Sequence, residues 1–296
     1  MHYLVTGGSG FIGRSLCREL LKRAQVTVLT RSRARASRVL RPEIGTVQSL
    51  EELGELPLQA VVNLAGANLA AGRWTAERKS EFRSSRVDAT NALVDWLGQL
   101  KEKPEVLVSA SAVGWYGARG DEELREDSAP GDEFQAELCQ AWEAAAMRAT
   151  QFGIRVVCLR SGIVLGRDGG ALARMLPAFR LGLGGRMGSG KQWTSWIHRD
   201  DLVSLVQWAL ARPSASGVYN ATAPTPVTNA ELAETLAAVL HRRARLPLPA
   251  RALRGLFGEM SQLLLTGQRV IPARLREVGF VFRHPELRGA LEHLLH

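Results

Sequence analysis

Three glycines near the start of the chain have the spacing of a dinucleotide-binding turn. They are Gly7, Gly10 and Gly13 in VTGGSGFIGRSL, which follows a strand-like run and opens a helical pattern. Gly7 allows a sharp turn off the strand, Gly10 lets the backbone approach a pyrophosphate, and Gly13 lets the helix pack closely on the sheet. The helix N-terminus then offers unpaired N–H groups and partial positive charge to phosphates. The motif therefore predicts dinucleotide binding.

The end of the second predicted strand indicates which dinucleotide. NAD-binding proteins usually place an acidic residue there, against the ribose 2′-hydroxyl. This chain instead has Thr30, Arg31, Ser32 and Arg33. Because arginine pairs well with a phosphate, the pattern favours NADP(H) over NAD(H). The alternative is that these arginines form a solvated turn.

Further candidate cofactor contacts follow the next strand. Leu64, Ala65 and Gly66 come after Asn63, at the sheet edge where ligands of open α/β sheets bind, and their small size leaves room for adenosine and ribose. Arg86 lies in a predicted helix, five residues after Glu81. For Glu81 and Arg86 a surface salt bridge is an equal alternative to a cofactor contact.

A second group of reactive side chains occupies SASAVGWYG, residues 109 to 117, directly after the apolar run Val106–Val108. Two serines, a tryptophan and a tyrosine at a strand end suit either the lip of an active site or a simple strand terminus. Its place at the same edge of a parallel sheet favours the active-site lip.

The elements that must position these residues alternate between strands and helices. Short β-branched runs predict strands at 2–6, 26–30, 60–64, 105–110 and 154–160, with a weaker one at Ile44–Gln48. Amphipathic patterns predict helices near 11–24, 75–101 and 133–151. This alternation predicts an α/β fold of the Rossmann type, with a doubly wound parallel sheet buried on both faces.

The second half of the chain has a different texture. Long glycine-rich loops after Arg160 predict a substrate lobe interleaved with the Rossmann domain, mainly 162–200 and 218–244. The run Leu246-Pro247-Leu248-Pro249 marks a boundary. We therefore predict a domain of residues 1–244 and a small C-terminal helical domain of residues 245–296.

Composition limits the function classes. The net charge of +9 invites a nucleic-acid hypothesis, but apart from residues 31–38 the basic residues are scattered among acidic ones, with no interleaved aromatics. The first strand-like residues begin at His2 and leave no room for a signal peptide, so we expect a cytoplasmic protein. No apolar run approaches the roughly 20 residues that span a bilayer, and we expect no membrane anchor. Cys17, Cys139 and Cys158 lack metal-ligand spacing, and we predict packing thiols and no metal site.

Taken together, the ordered motifs TGGSGFIG, NLAG, SASAVGWYG, LRSGIVLG, WIHRDDL and GVYNATAP resemble a known family. The chain resembles extended and atypical short-chain dehydrogenase/reductases. More narrowly, it is similar to sugar-nucleotide epimerase-like proteins with a small C-terminal helical domain of unassigned function, some of them labelled cell-division-inhibitor-like. The resemblance covers nearly the whole chain and implies a seven-stranded parallel sheet. It also implies NADP-type cofactor contacts from Gly7, Phe11, Ile12, Thr30, Arg31, Leu64, Ala65, Arg86 and Arg160.

The same resemblance exposes a departure in the catalytic residues. In catalytically active members of the wider family, a serine or threonine after the fifth strand holds the substrate oxygen. A Tyr-x-x-x-Lys pair on the next helix donates or accepts the proton. Ser111 matches the first role. Gln135 and Cys139 stand where the tyrosine and lysine are expected. The glutamine amide does not titrate near neutral pH and cannot act as the proton donor.

Three residues are candidates for the missing roles. Tyr116 lies on the same loop as Ser111 and is either the proton donor or a cap for the strand end. His198 is expected to titrate in a useful range, yet a histidine beside two aspartates is more often a structural hydrogen-bonding group. Lys191 suits contact with an anionic substrate, or is a solvated loop lysine.

Two functions remain open from the sequence. One is an NADP-dependent oxidoreductase or epimerase that transfers a hydride reversibly to or from a small carbonyl or sugar-nucleotide substrate. The other is a catalytically impaired NADPH-binding regulator, with a role in cell division as one candidate. A homodimer that pairs through the helix at 133–151 is a further expectation.

Overall fold

A single seven-stranded sheet organises the molecule, as described by a computed structural model over residues 1–244 and 246–296. All strands are parallel, in the order β7-β6-β5-β4-β1-β2-β3. The chain reverses its direction of winding between β1 and β4, so the carboxyl ends of these two strands form the crevice of a Rossmann-type site. The predicted fold class is confirmed. The strands are β1 (His2–Thr6), β2 (Gln25–Leu29), β3 (Gly45–Val47), β4 (Ala60–Asn63), β5 (Val106–Ala112), β6 (Arg155–Ser161) and β7 (Gly217–Ala221).

Helices cover both faces of this sheet and form the C-terminal region. They are α1 (Phe11–Leu20), α2 (Arg33–Ser37), α3 (Ala76–Arg83), α4 (Ala89–Gln99), α5 (Phe134–Met147), α6 (Gly170–Arg180), α7 (Arg199–Ala211), α8 (Asn229–Val239), α9 (Ala250–Phe257), α10 (Gln262–Leu265), α11 (Ala273–Glu277) and α12 (Leu287–Leu295). Three pairs of short strands lie outside the main sheet: Ile163–Gly166 with Trp196–His198, Trp193–Thr194 with Val227–Thr228, and Glu123–Leu124 with Arg269–Val270.

The two faces of the sheet carry two separate cores. On β1, Val5 packs with α1 and α7 while its neighbour Leu4 packs with α4 and α5. The same alternation holds for Val106 and Leu107 on β5. Full burial of one such aliphatic side chain contributes about 1.5–3 kcal/mol, so both faces favour this sheet over one that is solvated on one side.

The predicted helix at 75–101 is interrupted. Between α3 and α4, residues Ser84–Asp88 form a wide π-type turn. Turns of this kind are frequent at functional sites because the extra residue redirects side chains. Here Ser85 accepts a hydrogen bond from the backbone N–H of Ala67 (3.0 Å), which ties the turn to the loop after β4.

The C-terminal region packs against the Rossmann part. Arg269–Val270 pairs in parallel with Glu123–Leu124, the segment that follows the SASAVGWYG loop. Helix α12 packs on α8, with Leu291 and Leu236 both fully buried. The predicted domain boundary falls at residue 245, which lies outside the described residues.

Among the described residues, no helix combines the length and the apolar character that a bilayer crossing requires.

Candidate functional site

The glycine-rich turn has the close contacts that its sequence predicts. Gly7 has a positive φ of 68°, and a Cβ there would lie 2.6 Å from the carbonyl oxygen of Leu64. A Cβ on Gly13 would lie 2.4 Å from the carbonyl oxygen of Gly7. Helix α1 begins at Phe11 without a side-chain cap. Its first N–H groups are therefore available to a phosphate.

A buried hydrogen-bond chain fixes the loop after β4 beside this turn. Thr6 donates to Asn63 Oδ1 (2.6 Å), and Asn63 Nδ2 donates to Thr90 (2.8 Å). The backbone N–H of Ala65 donates to the Thr6 hydroxyl (3.2 Å). These bonds connect β1, β4 and α4, and they place Leu64, Ala65 and Gly66 at the mouth of the crevice.

Arg86 reaches from the π-type turn into the same crevice. Its guanidinium carbon lies so near Gly66 that a Cβ there would be 2.9 Å away. Nη2 donates to the carbonyl of Ala67 (2.9 Å), and the guanidinium lies over the ring of Trp142, 5.2 Å from its centroid. Nη1 is buried and has no partner among the described residues, and no carboxylate of these residues pairs with Arg86. A buried cation without an anion is costly, which favours an anionic or hydrogen-bond-accepting ligand here.

Cys139, in the expected position of the lysine, lies close enough to Arg86 for the two side chains to affect each other electrostatically. Burial, followed by the charge of Glu143, raises the pKa of Cys139 to about 12, while Arg86 acts in the opposite direction. Burial lowers the pKa of Arg86. Cys139 is therefore an unreactive thiol, and the cation near this position comes from α3–α4 instead of α5.

At the end of β2, the predicted 2′-phosphate residues surround a short turn. Thr30 and Ser32 are hydrogen-bonded to each other (3.3 Å), and the Ser32 hydroxyl accepts from the backbone of Arg35 (3.2 Å) at the start of α2. The Arg31 side chain is exposed and makes no ion pair with any described residue. Arg33 pairs with Glu52 instead.

Ser111 belongs to a buried polar network at the end of β5. Its hydroxyl donates to Glu143 Oε1 (2.6 Å), and Arg160 donates to both carboxylate oxygens of Glu143 (2.8 Å each). Arg160 also stacks on Trp115, 3.4 Å from the ring centroid. The sequence-based expectation for Arg160 was a cofactor contact, whereas the structure uses its guanidinium to neutralise a buried carboxylate.

Tyr116 completes this network and is fully buried. Its hydroxyl donates to Asn220 Oδ1 (2.6 Å) and accepts from Arg160 (3.0 Å). Burial raises the pKa of Tyr116 to about 12 despite the opposing charge of Arg160. This placement supports the strand-end alternative for Tyr116 and does not support a proton-donor role.

Gln135, in the expected position of the tyrosine, lines a cavity of about 320 Å³. Gln135 packs near Gly114 of the SASAVGWYG loop, and its Oε1 is buried without a partner among the described residues. Glu133 lies beside it and is the one carboxylate among the lining residues. The remaining lining residues come from the C-terminal region: Arg254, Ser261, Gln262, Leu265 and Thr266.

The contacts of four other predicted site residues differ from one another. Phe11 packs on the backbone of Gly169 and Gly170 above the glycine-rich turn, and Ile12 packs partly into the core. Glu81 pairs with Arg78, as in the salt-bridge alternative. Lys191 is on an exposed loop and does not line the cavity.

His198 lies outside the cavity and is fully buried. Its Nδ1 accepts from the backbone N–H of Asp200 (3.0 Å), capping α7, and its Nε2 contacts His293 Nδ1 (3.2 Å). The ring also stacks on His284. Although these side chains and Asp200 lie close enough to suggest a metal site, Nδ1 is already an acceptor, so the proton occupies Nε2 and blocks metal binding there.

Comparison with known proteins identifies two regions. The family model described as "NAD dependent epimerase/dehydratase family" matches residues 3–222. A second, described as "Domain of unknown function (DUF1731)", matches residues 248–294.

Relatives match over nearly the whole length of this chain. The chain is 42% identical over 299 residues to the chloroplastic epimerase family protein SDR39U1 homolog of Arabidopsis thaliana, covering 98% of this chain and 86% of that one. It is 39% identical to human epimerase family protein SDR39U1, with 100% of both chains covered. The crystal structure of that human protein (isoform 2) with NADPH superposes with a TM-score of 0.89 at 39% identity over 99% of each chain. UDP-glucose 4-epimerase of Thermotoga maritima, crystallised with UDP-glucose, shares the fold at 18% identity with a TM-score of 0.81, over 99% of this chain and 97% of the other.

Proposed function

Because the chain belongs to the NAD-dependent epimerase/dehydratase family, we propose that it is an NADP(H)-dependent oxidoreductase or epimerase. Its substrate is a small carbonyl compound or a sugar nucleotide. When bound, the nicotinamide cofactor supplies or accepts the hydride. The chain's own residues hold the cofactor and substrate and move the proton.

The observation that carries this proposal is the buried guanidinium of Arg86. The guanidinium lies beside Gly66, its Nη1 has no partner among the described residues, and its charge lies near Cys139, where the resemblance implies a lysine. We propose that Arg86 provides the positive charge that this lysine otherwise contributes. A cofactor hydroxyl or phosphate then satisfies Nη1, which explains why a buried cation without an acidic partner is tolerated.

The preference for NADP(H) rests on Arg31. This side chain is free of ion pairs with the described residues and follows β2, where the ribose 2′ substituent lies in this fold. A guanidinium there favours a phosphate over a hydroxyl. The uncapped N-terminus of α1 holds the pyrophosphate.

The structure leaves few groups for proton transfer. Gln135 has no proton to exchange near neutral pH, and the Tyr116 hydroxyl is committed to Asn220. We propose Glu133, the carboxylate of the cavity lining, as the acid or base. The Ser111 hydroxyl donates its one proton to Glu143. Ser111 can therefore orient a substrate hydroxyl only by accepting a hydrogen bond from that hydroxyl.

The test has two stages. Equilibrium binding of NADPH and NADH to the purified chain comes first, and we expect NADPH to bind at least about tenfold more tightly. NADPH-loaded protein is then mixed with a panel of carbonyl compounds, and cofactor oxidation is followed by absorbance. Glu133→Gln abolishes turnover without weakening NADPH binding, while Ser111→Ala reduces it. Failure to bind NADPH rejects the proposal.

The second candidate function is a cofactor-binding regulator without catalysis. The observation that favours it is that no tyrosine is among the described residues lining the cavity, together with the unreactive Cys139. It predicts tight NADPH binding with no oxidation of the cofactor by any compound of the panel. Turnover that Glu133→Gln removes rejects this alternative.

A further inference from the structure

We infer that the C-terminal region closes the substrate pocket and selects a small polyhydroxylated anion, not a nucleotide-linked sugar. This region matches only a domain of unknown function. The inference rests on the proposed function, since it takes the cavity beside Gln135 as the substrate site.

The cavity has two walls from distant parts of the chain. Glu133 and Gln135 form one wall at the start of α5. The other consists of residues from α9 and from the segment between α9 and the strand Arg269–Val270, among them Arg254, Ser261 and Thr266. The Rossmann part therefore provides only two of the seven lining residues.

The second wall is held firmly in place. Met260 packs into a cluster with Trp74, Phe82 and Leu138 from three Rossmann segments. Beside it, Glu259 pairs with Lys79 (2.7 Å). Gln192 donates to the carbonyl oxygen of Leu264 (2.7 Å). Contacts on both sides of residue 262 thus fix the wall against the Rossmann part.

The first wall carries two hydrogen-bond acceptors that have no partner among the described residues. Gln135 is 5% exposed, and its Oε1 has no partner among the described residues. The Oε2 atom of Glu133 is also buried and unpartnered there. Two unpartnered acceptors at one wall indicate a ligand that brings donors to them, as hydroxyl groups do.

The second wall carries the opposite charge. Arg254 is exposed on α9 and forms no ion pair with any described residue, including Glu133. Its guanidinium can form a two-point contact with a carboxylate or a phosphate. The ligand therefore places hydroxyl groups toward α5 and an anionic group toward α9.

Size and composition argue against a nucleotide. A volume of about 320 Å³ is near the lower limit for ligand pockets. No aromatic residue lines the cavity to stack on a base, and Arg254 is its one cation, whereas a pyrophosphate carries more than one negative charge. A single sugar acid or sugar phosphate matches these features.

The experiment measures binding of four probes by calorimetry, with and without saturating NADPH. The probes are D-glucuronate, glucose 6-phosphate, neutral glucose and UDP-glucuronate. We expect one or both small anions to bind at least about tenfold more tightly than glucose and than UDP-glucuronate. The two small anions distinguish a carboxylate from a phosphate.

Arg254→Gln tests the anion contact, and Arg251→Gln on the same helix is the matched control, because Arg251 is exposed and does not line the cavity. Arg254→Gln lowers affinity for the preferred anion about tenfold and leaves glucose and NADPH binding unchanged; Arg251→Gln changes neither. An unchanged melting temperature shows that the variants fold.

Equal binding of anions and glucose, tighter binding of UDP-glucuronate, or no effect of Arg254→Gln would each overturn the inference. Absence of any probe binding to a chain that binds NADPH overturns it while leaving the proposed function intact. Loss of NADPH binding alone counts against the proposed function, because the probes are also measured without cofactor.

Discussion

Arg160 donates two parallel hydrogen bonds of 2.8 Å to the Glu143 carboxylate, and both side chains are less than one-tenth exposed. The Ser111 hydroxyl donates to the same carboxylate. The ends of β5 and β6 are thus joined to α5 through one buried charge pair, and this pair supports the loop that carries Trp115 and Tyr116.

Removing one partner of this pair is expected to destabilise the fold strongly. Glu143→Ala leaves the Arg160 guanidinium buried without its anion, and such losses cost about 3–5 kcal/mol. The free energy of unfolding, measured by urea titration, reports the change. The control is Asp95→Ala, which breaks the exposed pair with Arg148 and costs less than about 1 kcal/mol. Equal losses in the two variants would contradict the role assigned to the buried pair.

The Arg86 prediction concerns cofactor affinity. Arg86→Ala removes a buried cation and its free N–H groups, and hydrogen bonds to charged groups contribute about 1.5–3 kcal/mol. NADPH affinity is expected to fall about 10- to 100-fold in a fluorescence titration, while Arg86→Lys retains part of it. Arg83→Ala, an exposed arginine three residues earlier, is the matched control and leaves affinity unchanged.

A charge relocation distinguishes this role from a structural one. Arg86→Ala combined with Cys139→Lys places a cation at the position where the family resemblance implies a lysine. Recovery of NADPH affinity in the double variant supports the substitution of one cation for the other. If Arg86→Ala lowers stability but leaves NADPH affinity unchanged, Arg86 has only a packing role.

Arg31 determines cofactor preference if it contacts the 2′-phosphate. Arg31→Ala is then expected to weaken NADPH binding about 10- to 100-fold and to leave NADH binding unchanged, because only NADPH has the phosphate. Parallel titrations with both cofactors measure this ratio. Arg41→Ala is the control, since Arg41 is exposed beyond α2. Equal weakening of both cofactors would mean that Arg31 contacts a part that they share.

The parts of this site that could be predicted are those whose contacts join residues close together in the sequence. The glycine-rich turn and the loop after β4 are local motifs, and each residue type follows from a contact within its own βα unit, as the close approach of Gly13 to Gly7 shows. The turn that presents Arg86 was missed, because α3 and α4 continue one helical pattern with a single residue inserted between them. Only its interruption by the adjacent serines at 84 and 85 was a local signal.

The substrate side was less predictable. The cavity joins Gln135 to residues more than a hundred positions later, and no periodicity or spacing records such a contact. Tyr116 and Arg160 carry side chains suited to chemistry, but both are used to satisfy buried polar partners. Residue type alone does not distinguish a catalytic side chain from one that satisfies a buried polar group, because polar groups need such partners only once folding has buried them.

The close contact at Gly13 predicts a loss of both stability and binding. In Gly13→Ala the new Cβ meets the carbonyl oxygen of Gly7 at 2.4 Å, and α1 must shift at a cost of about 1–3 kcal/mol. NADPH binding should be lost with it. Gly289→Ala in α12 is the matched control: apart from the backbone of its own helix, no described atom lies within 4 Å of its Cβ, so it stabilises by about 0.5–1 kcal/mol. Melting temperatures that move in the same direction would contradict this reading.

The histidines that join α7 to the C-terminal helix predict a pH dependence of stability. Burial, followed by His284 and His293, lowers the pKa of His198 to about 4, from 6.5. Since the unfolded chain accepts a proton more readily, the stabilisation is complete above about pH 6.5 and is lost as the pH falls towards 4, by about 3 kcal/mol in total. Asp200 opposes this lowering of the His198 pKa, and Arg199 reinforces it. On the neighbouring His284, whose pKa burial also lowers, Asp201 and Asp200 oppose the shift and Arg283 reinforces it.

His198→Asn tests this assignment because asparagine can still cap α7 but does not titrate. Urea unfolding at a series of pH values should show a steep loss of stability in the wild-type chain between about pH 6.5 and pH 4, and a shallower loss in the variant. His241→Asn, an exposed histidine remote from the cluster, is the control and keeps the wild-type slope. His198 is the one member of the cluster that is fully buried, so its removal should have the largest effect. If the stability of the variant depends on pH as steeply as that of the wild-type chain, other groups cause the acid sensitivity.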